Sequence, residues 1–184
     1  MPEGLFIIRL VLGGLLFAHG TQKLFGWYGG YGLDGTAGFF HSVGHRPGRR
    51  MAAVAGLSEA GGGALLVLGL LTPLGAAMIL GTMISAAVSV HAPQGVWATN
   101  GGYELPLTNA LVAAGLAFTG AGDFSIDHAA GIPWTGGAGP GLSAIVLAVI
   151  AFGIGNARRR KVLEAEPQAA YPAEVVPAES DVNA

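Results

Sequence analysis

MAAVAGLSEAGGGALLVLGLL, residues 51–71, is a continuous apolar stretch in which Glu59 is the one charged residue. A helix needs roughly 20 predominantly apolar residues to cross the hydrocarbon core of a bilayer, and this stretch is long enough. The stretch therefore predicts a transmembrane helix.

The whole chain shares this apolar character. Hydrophobic residues make up 52% of its 184 residues and charged residues only 11%, whereas an ordinary soluble domain carries about a quarter charged residues. Its 32 glycines stand mostly inside apolar runs, where small residues let membrane helices approach closely. The net charge of −2 argues against a nucleic-acid binder. The absence of cysteine excludes disulfides, thiol catalysis and cysteine-ligated clusters.

Four further apolar stretches accompany the one at residues 51–71. The first follows an N-terminus without Lys or Arg and precedes no cleavage-type sequence, so we predict a retained helix and no signal peptide. Pro73 suits the first turn of the next helix, where its missing N–H has no partner to lose. The predicted spans are residues 4–25, 51–71, 74–90, 105–121 and 139–155.

Basic residues predict the orientation of these spans. They cluster in and beside loop one, defined as residues 26–48, and again at Arg158–Lys161. Lys and Arg next to short loops mark the cytoplasmic side, and five spans place both clusters on one side, whereas four spans would oppose them. We therefore expect a multi-pass protein of the cell membrane with its N-terminus outside and its C-terminus in the cytoplasm.

Loop one combines glycines with an unusual density of aromatic residues. Aromatic side chains are enriched at the headgroup level of membranes. We expect a short interfacial helix at residues 33–43 with Phe39 and Phe40 turned inward; the alternative is a disordered loop. After residue 161 the chain is rich in Glu, Pro and Ala, which predicts a solvated cytoplasmic tail.

Charged residues inside the predicted spans need a partner or a function, because a charge near the bilayer centre is costly. Arg9, His19 and Lys23 fall on one face of the first helix. The rise per residue places Glu59 at a depth between Arg9 and His19, so that either could reach it. An Arg9–Glu59 pair could equally serve only to fix the helix register.

A second group of polar residues is predicted at the cytoplasmic end. His19, Lys23, His91, Tyr103 and Glu104 would lie near one membrane surface and form a polar pocket. The alternative is that both histidines are satisfied by backbone carbonyls. Two histidines on different spans could also hold a b-type haem, but their depths need not match, which disfavours haem. No metal-ligand spacing is present, so we predict no metal site. Thr82, Ser85 and Ser89 are expected to pack and to bond back to their own helix.

Several short motifs in a fixed order resemble the DoxX family. They are Arg9, HGTQKLFG at residues 19–26, GFF at 38–40, Glu59, LGLLTP at 68–73, NGGYE at 100–104 and GAGDFSID at 120–127. The resemblance covers about residues 5–130. It implies an all-α polytopic membrane helix bundle with a DoxX-like four-helix core in residues 1–130. A fifth transmembrane helix at 131–160 and a disordered tail at 161–184 depart from the family pattern.

The resemblance also implies a link to oxidoreductase systems, since the family includes the membrane subunit of a thiosulfate:quinone oxidoreductase. The hypothesis that follows is a quinone-linked subunit with a bound quinone. Its catalytic residues would be His19, Lys23 and Glu104, and its cofactor-binding residues Gln22, Glu59, His91, Tyr103 and Asn109. His19 and Glu104 would exchange protons, Tyr103 or Asn109 would bond a carbonyl, and Lys23 would favour the reduced oxygen.

Two other functions stay open. The chain could be a non-catalytic membrane anchor that recruits soluble redox enzymes through loop one, the loop after residue 91 and Arg158–Lys161. A small-solute transporter is disfavoured because the chain is short and shows no inverted repeat, although a homo-oligomer in the lipid bilayer could still form a path.

Overall fold

The computed structural model describes residues 2–133 and 135–166. These residues form seven α-helices joined by turns and short 3-10 segments. The helices are α1 (Pro2–Phe25), α2 (Gly32–Ser42), α3 (Gly48–Leu68), α4 (Thr72–Ala86), α5 (Glu104–Thr119), α6 (Ile126–Ala129) and α7 (Ala138–Ala165). A π-helical turn, Ala87–His91, continues α4.

Four helices of the described part are long and apolar enough to cross a membrane: α1, α3, α4 with its continuation to Gln94, and α7. The helix predicted at residues 105–121 is also present, as α5, but it has only 16 residues. Apart from Glu104, Thr108 and Asn109 near its start it is mainly apolar, and it packs against α4 and α7 inside the bundle. The protein is therefore an all-α, multi-pass membrane helix bundle, as predicted.

The centre of the bundle is α4, which packs against α3, α5 and α7, while α1 packs mainly against α3. One continuous core of Leu, Ile, Met and Ala side chains joins these five helices. Many of these core side chains are alanines, so the helix axes can approach closely. In lipid the hydrophobic effect does not drive helices together, and dispersion contacts between closely packed helices stabilise the bundle.

The two ends of the bundle differ in character. One end, here called the basic end, holds loop one, the continuation of α4 and the last turns of α7, since Arg159 donates hydrogen bonds to the carbonyls of Val43 and Ser89. At the opposite end the α3–α4 turn meets the segment around α6. Both basic clusters thus lie at the same end, which is the arrangement that the five-helix prediction required.

The interfacial helix predicted in loop one is α2, and it packs on α3 and α1. Phe40 is half-buried as expected. Phe39 is more exposed, at 36%, and its ring lines the same cavity as that of Phe40.

The last helix is longer than predicted. We expected a span at residues 139–155 and a tail from residue 161, yet α7 runs through Ala165 because its last turns rest on loop one. The predicted tail from residue 167 onward lies outside the described residues.

Candidate functional site

The central feature of the site is an ion pair between Lys23, in the last turn of α1, and Glu59, in the middle of α3. The side chain of Glu59 is 6% exposed and that of Lys23 is 26% exposed. Lys23 shields the carboxylate, since burial of a carboxylate without a charged partner would be strongly unfavourable.

Glycines set the register that brings these two side chains together. A Cβ atom at Gly20 would overlap the main chain of Ala60, and one at Gly63 would lie 2.5 Å from the carbonyl oxygen of Gly13. Neither position has room for a side chain, so the backbones of α1 and α3 touch directly. This contact places the end of α1 beside Glu59.

The pairing that we considered between Glu59 and Arg9 or His19 is therefore wrong. Arg9 lies level with the far end of α3, where its guanidinium donates to the carbonyls of Leu66, at 3.3 Å, and Phe124. Its side chain is 0% exposed. The ring of His19 is exposed on α1.

A cavity of about 660 Å³ opens next to the ion pair. It lies between the end of α1, residues 29–31 and one face of α2. Its wall contains Gln22 and Lys23 from α1 and three aromatic rings, those of Tyr31, Phe39 and Phe40. Lys23 therefore belongs both to the buried ion pair and to the cavity wall.

Glycines also shape this cavity. The segment at residues 29–31 can lie against α1 because Gly30 has no side chain: a Cβ there would be 2.5 Å from the carbonyl oxygen of Gln22. Gly38 on α2 has open space where its Cβ would be. The amide of Gln22 donates to the Tyr28 carbonyl at 3.3 Å and helps to hold the segment in place.

The residues predicted from the second half of the chain form a separate group. His91 Nδ1 lies 2.6 Å from the carbonyl oxygen of Gly101, and the Glu104 carboxylate accepts a hydrogen bond of 2.9 Å from the Ala98 N–H. Both bonds stay within or next to loop three, defined as residues 92–103. The Tyr103 N–H donates to the Gly95 carbonyl. The interpretation that backbone carbonyls satisfy a histidine thus holds for His91.

Asn109 lies one turn further along α5, and its amide is 3.9 Å from the sulfur of Met83. The structure therefore brings Gln22, Lys23 and Glu59 together, and it ties His91 and Glu104 into loop three. The hydroxyls of Thr82 and Ser85 bond back to their own helix, as expected. Ser89 instead contacts His45, whose ring nitrogen Nε2 lies 3.0 Å from the Ser89 hydroxyl.

A polar junction around His45 is not marked by any pattern in the sequence. Arg159 donates to the Val43 carbonyl at 2.8 Å and to the Ser89 carbonyl at 3.3 Å. Arg46 bonds the Glu166 carboxylate at 2.5 Å. The basic run at residues 158–161 is visible in the sequence, where it indicates orientation and a candidate recruitment surface, but the sequence does not show that Arg159 contacts loop one.

Comparison with protein families places this site in context. The DoxX family model matches residues 4–92. The chain carries a DoxX domain. The DoxX match contains α1 to α4, and with them the Lys23–Glu59 pair and the whole cavity wall. It ends before Tyr103, Glu104 and Asn109, so the domain limit predicted at residue 130 stays a prediction.

No curated protein and no solved structure matches the chain. Among residues 2–133 and 135–166, no group of three or more His, Asp or Glu side chains converges as a metal site. The ion pair, the cavity and the basic end are therefore the features on which a function can rest.

Proposed function

We propose that this DoxX protein is the quinone-binding membrane subunit of an oxidoreductase system of sulfur or oxidative-stress metabolism. The observation that carries the proposal is the Lys23–Glu59 pair in the wall of an aromatic cavity. Because the chain has no cysteine, its electrons come from a soluble redox partner or a thiosulfate-type donor. The basic end faces the cytoplasm in this proposal, following the distribution of Lys and Arg.

The cavity suits a flat, amphipathic head group. Its volume of about 660 Å³ falls within the roughly 300–1,000 Å³ that small-molecule sites occupy. The rings of Tyr31, Phe39 and Phe40 offer aromatic surface for stacking. The Gln22 amide and the Lys23 ammonium are hydrogen-bond donors, which match the carbonyl oxygens of a quinone. A bound quinone would supply the two-electron redox chemistry.

Lys23 and Glu59 have different roles in the proposed quinone chemistry. The ammonium of Lys23 has three donors, of which the pair with Glu59 uses one, so the others are free for an oxygen in the cavity. A fixed cation next to that oxygen stabilises the negative charge that develops on reduction. Glu59 orients Lys23 and offers a carboxylate for proton exchange with it.

The roles predicted for the other polar residues are less well supported. The bonds of His91 and Glu104 within loop three support a part in shaping that loop. Proton exchange by His19 and Glu104, and cofactor contacts by Tyr103, His91 and Asn109, remain hypotheses that the same experiment can test by substitution.

The experiment measures binding of a short-chain quinone to the purified full chain in nanodiscs by titration calorimetry. Lys23→Met should weaken binding about tenfold, because a hydrogen bond from a charged donor is worth roughly 1.5–3 kcal/mol. Lys161→Met is the matched control, since this lysine is exposed at the end of α7, and it should bind as the wild type does. Equal affinity in Lys23→Met and wild type, with both folded by circular dichroism, would contradict the proposal.

A membrane anchor for soluble redox enzymes is the second candidate. It is favoured by the exposure of Arg158, Arg160 and Lys161 beside loop one, where they form a cationic surface for an acidic partner. Cross-linking followed by mass spectrometry distinguishes the two. Recovery of redox enzymes that survives Lys23→Met but is lost when the three exposed cations are changed to alanine would support the anchor.

A further inference from the structure

The last turns of α7 close over loop one at the basic end. The Arg159 guanidinium of α7 connects two other elements. It donates to the Val43 carbonyl in loop one and to the Ser89 carbonyl in the continuation of α4. The side chain of Leu163 covers Gly44, where a Cβ atom would lie 3.0 Å from a Leu163 methyl carbon. Arg46 and Glu166 add an ion pair one turn further on.

The continuation of α4 takes part in the same junction. Residues 87–91 form a π-helical turn, and such turns are rare and frequently lie at functional sites. Arg159 donates to the Ser89 carbonyl within this turn. The Ser89 hydroxyl in turn faces His45 Nε2 at 3.0 Å. One arginine and one histidine thus connect loop one, α4 and α7.

The imidazole of His45 lies inside this junction and can change charge near neutral pH. Burial, and to a lesser extent the charge of Arg159, lower the pKa of His45 below its usual value. His45 is therefore neutral at pH 7, and a proton on it would add a second cation beside Arg159. The other charged or titratable side chains of loop one, the continuation of α4 and the last turns of α7 are Tyr28, Tyr31, Asp34, His41, Arg46, His91, Arg158, Arg160, Lys161, Glu164 and Glu166.

We propose that the end of α7 is a latch on loop one that opens when His45 takes up a proton. The latch bears on the cavity as well, because the ring of Phe40, in the cavity wall, lies 5.7 Å from the His45 ring. The inference concerns a movement of the chain itself, so it does not depend on what the cavity binds.

The direction of the pH effect follows from the histidine. In the open state His45 is no longer buried beside Arg159, so its pKa returns to the ordinary value. The open state therefore binds a proton more readily, and protonation favours it. The closed latch is therefore intact above about pH 6.5, the ordinary pKa of histidine, and weakens as the pH falls below it.

The experiment uses a cysteine reporter, because the chain has no native cysteine. Val43 is 5% exposed and its carbonyl accepts the Arg159 hydrogen bond, so we expect Val43→Cys to react with a soluble thiol reagent only when the latch opens. A pyridyl disulfide reacts with thiols under mild acid, and Thr99→Cys, at an exposed position of loop three, gives the reference rate at each pH. The full-length protein is used in nanodiscs.

The ratio of the Val43→Cys rate to the Thr99→Cys rate should rise several-fold between about pH 7.5 and about pH 5.5, which brackets the ordinary titration of histidine. Adding His45→Gln, which keeps a neutral polar side chain, should abolish this rise. Adding Arg159→Gln should raise the ratio at every pH, whereas Arg160→Gln, an exposed neighbour, should not.

Two results would overturn the latch. One is a pH response that persists unchanged in His45→Gln. The other is an equal ratio in Arg159→Gln and Arg160→Gln. If Val43→Cys does not fold, Leu163→Cys reports on the same contact from the side of α7.

Discussion

The guanidinium of Arg9 donates a hydrogen bond to the main-chain carbonyl of Phe124, 115 residues away along the chain. The neighbouring carboxylate of Asp127 accepts from the Leu71 N–H at 2.8 Å and from the Thr72 N–H at 3.1 Å. One buried cation and one buried anion thus fasten the segment around α6 to the DoxX domain, at the end opposite the latch.

Asp127 should be the more sensitive of the two carboxylates in this segment. Asp127→Asn replaces one acceptor oxygen by an NH2 group that faces main-chain donors, and an unsatisfied buried donor costs about 1–3 kcal/mol. Thermal unfolding in detergent, followed by circular dichroism, should show the loss. Asp123→Asn is the control, because that side chain is 67% exposed. Equal melting temperatures for the two variants would contradict this view of the Asp127 contacts.

Gly69 should tolerate no side chain. It ends α3 with a φ of +60°, and a Cβ there would overlap the guanidinium of Arg9. Gly131 has a similar φ of +64° with open space around it. Gly69→Ala and Gly131→Ala therefore share the cost of left-handed backbone, and only Gly69→Ala displaces Arg9. The first should lower the melting temperature clearly more than the second, and similar losses would indicate backbone strain alone.

Gly20 should control both stability and the ion pair. A methyl group at Gly20 would overlap the backbone of α3, and overpacking of this kind costs typically about 1–3 kcal/mol. Because α1 must move away from α3, Gly20→Ala should also weaken quinone binding by separating Lys23 from Glu59. Gly14→Ala, at a position with open space, is the control for both measurements. Normal binding in Gly20→Ala would show that the close helix contact does not position Lys23.

Glu166 should add to the latch only above acidic pH. The hydrogen bond from Arg46 lowers the pKa of Glu166 below its ordinary value of 4.5. The pair therefore contributes fully above that ordinary value and is lost as the pH falls through the lowered one. Glu166→Gln should raise the labelling rate of Val43→Cys at neutral pH, and this difference should shrink as the pH falls well below 4.5. Glu164→Gln, an exposed neighbour, should leave the rate unchanged at neutral and at acidic pH.

The helices, and the placement of both basic clusters at one end of the bundle, could be predicted from the sequence. Hydropathy and the positions of Lys and Arg can be read directly from each segment. The partner of Glu59 could not be predicted. A depth calculated from the rise per residue does not reveal which helix turns touch, and the contacts at Gly20 and Gly63 shift the register so that Lys23, and not Arg9, meets the carboxylate.

The latch could not be predicted for a different reason. Its acceptors are the main-chain carbonyls of Val43 and Ser89, and a carbonyl is present at every residue, so the sequence does not mark it. The same holds for the carbonyl of Gly101 that bonds His91. Side-chain pairs such as Arg46–Glu166 were visible only as separate charges, since their partners are far apart along the chain.

The unequal lengths of α5 and α7 have a consequence for the surrounding lipid. At about 1.5 Å per residue, α5 extends about 24 Å and α7 about 42 Å, yet the two pack side by side. The exposed leucines of α5, Leu107 and Leu111, face the lipid. On this side the apolar surface of the protein is shorter than the bilayer's hydrocarbon thickness of about 30 Å. The bilayer should therefore be locally thinner beside α5. The melting temperature of the protein should then depend on the acyl-chain length of the surrounding lipid.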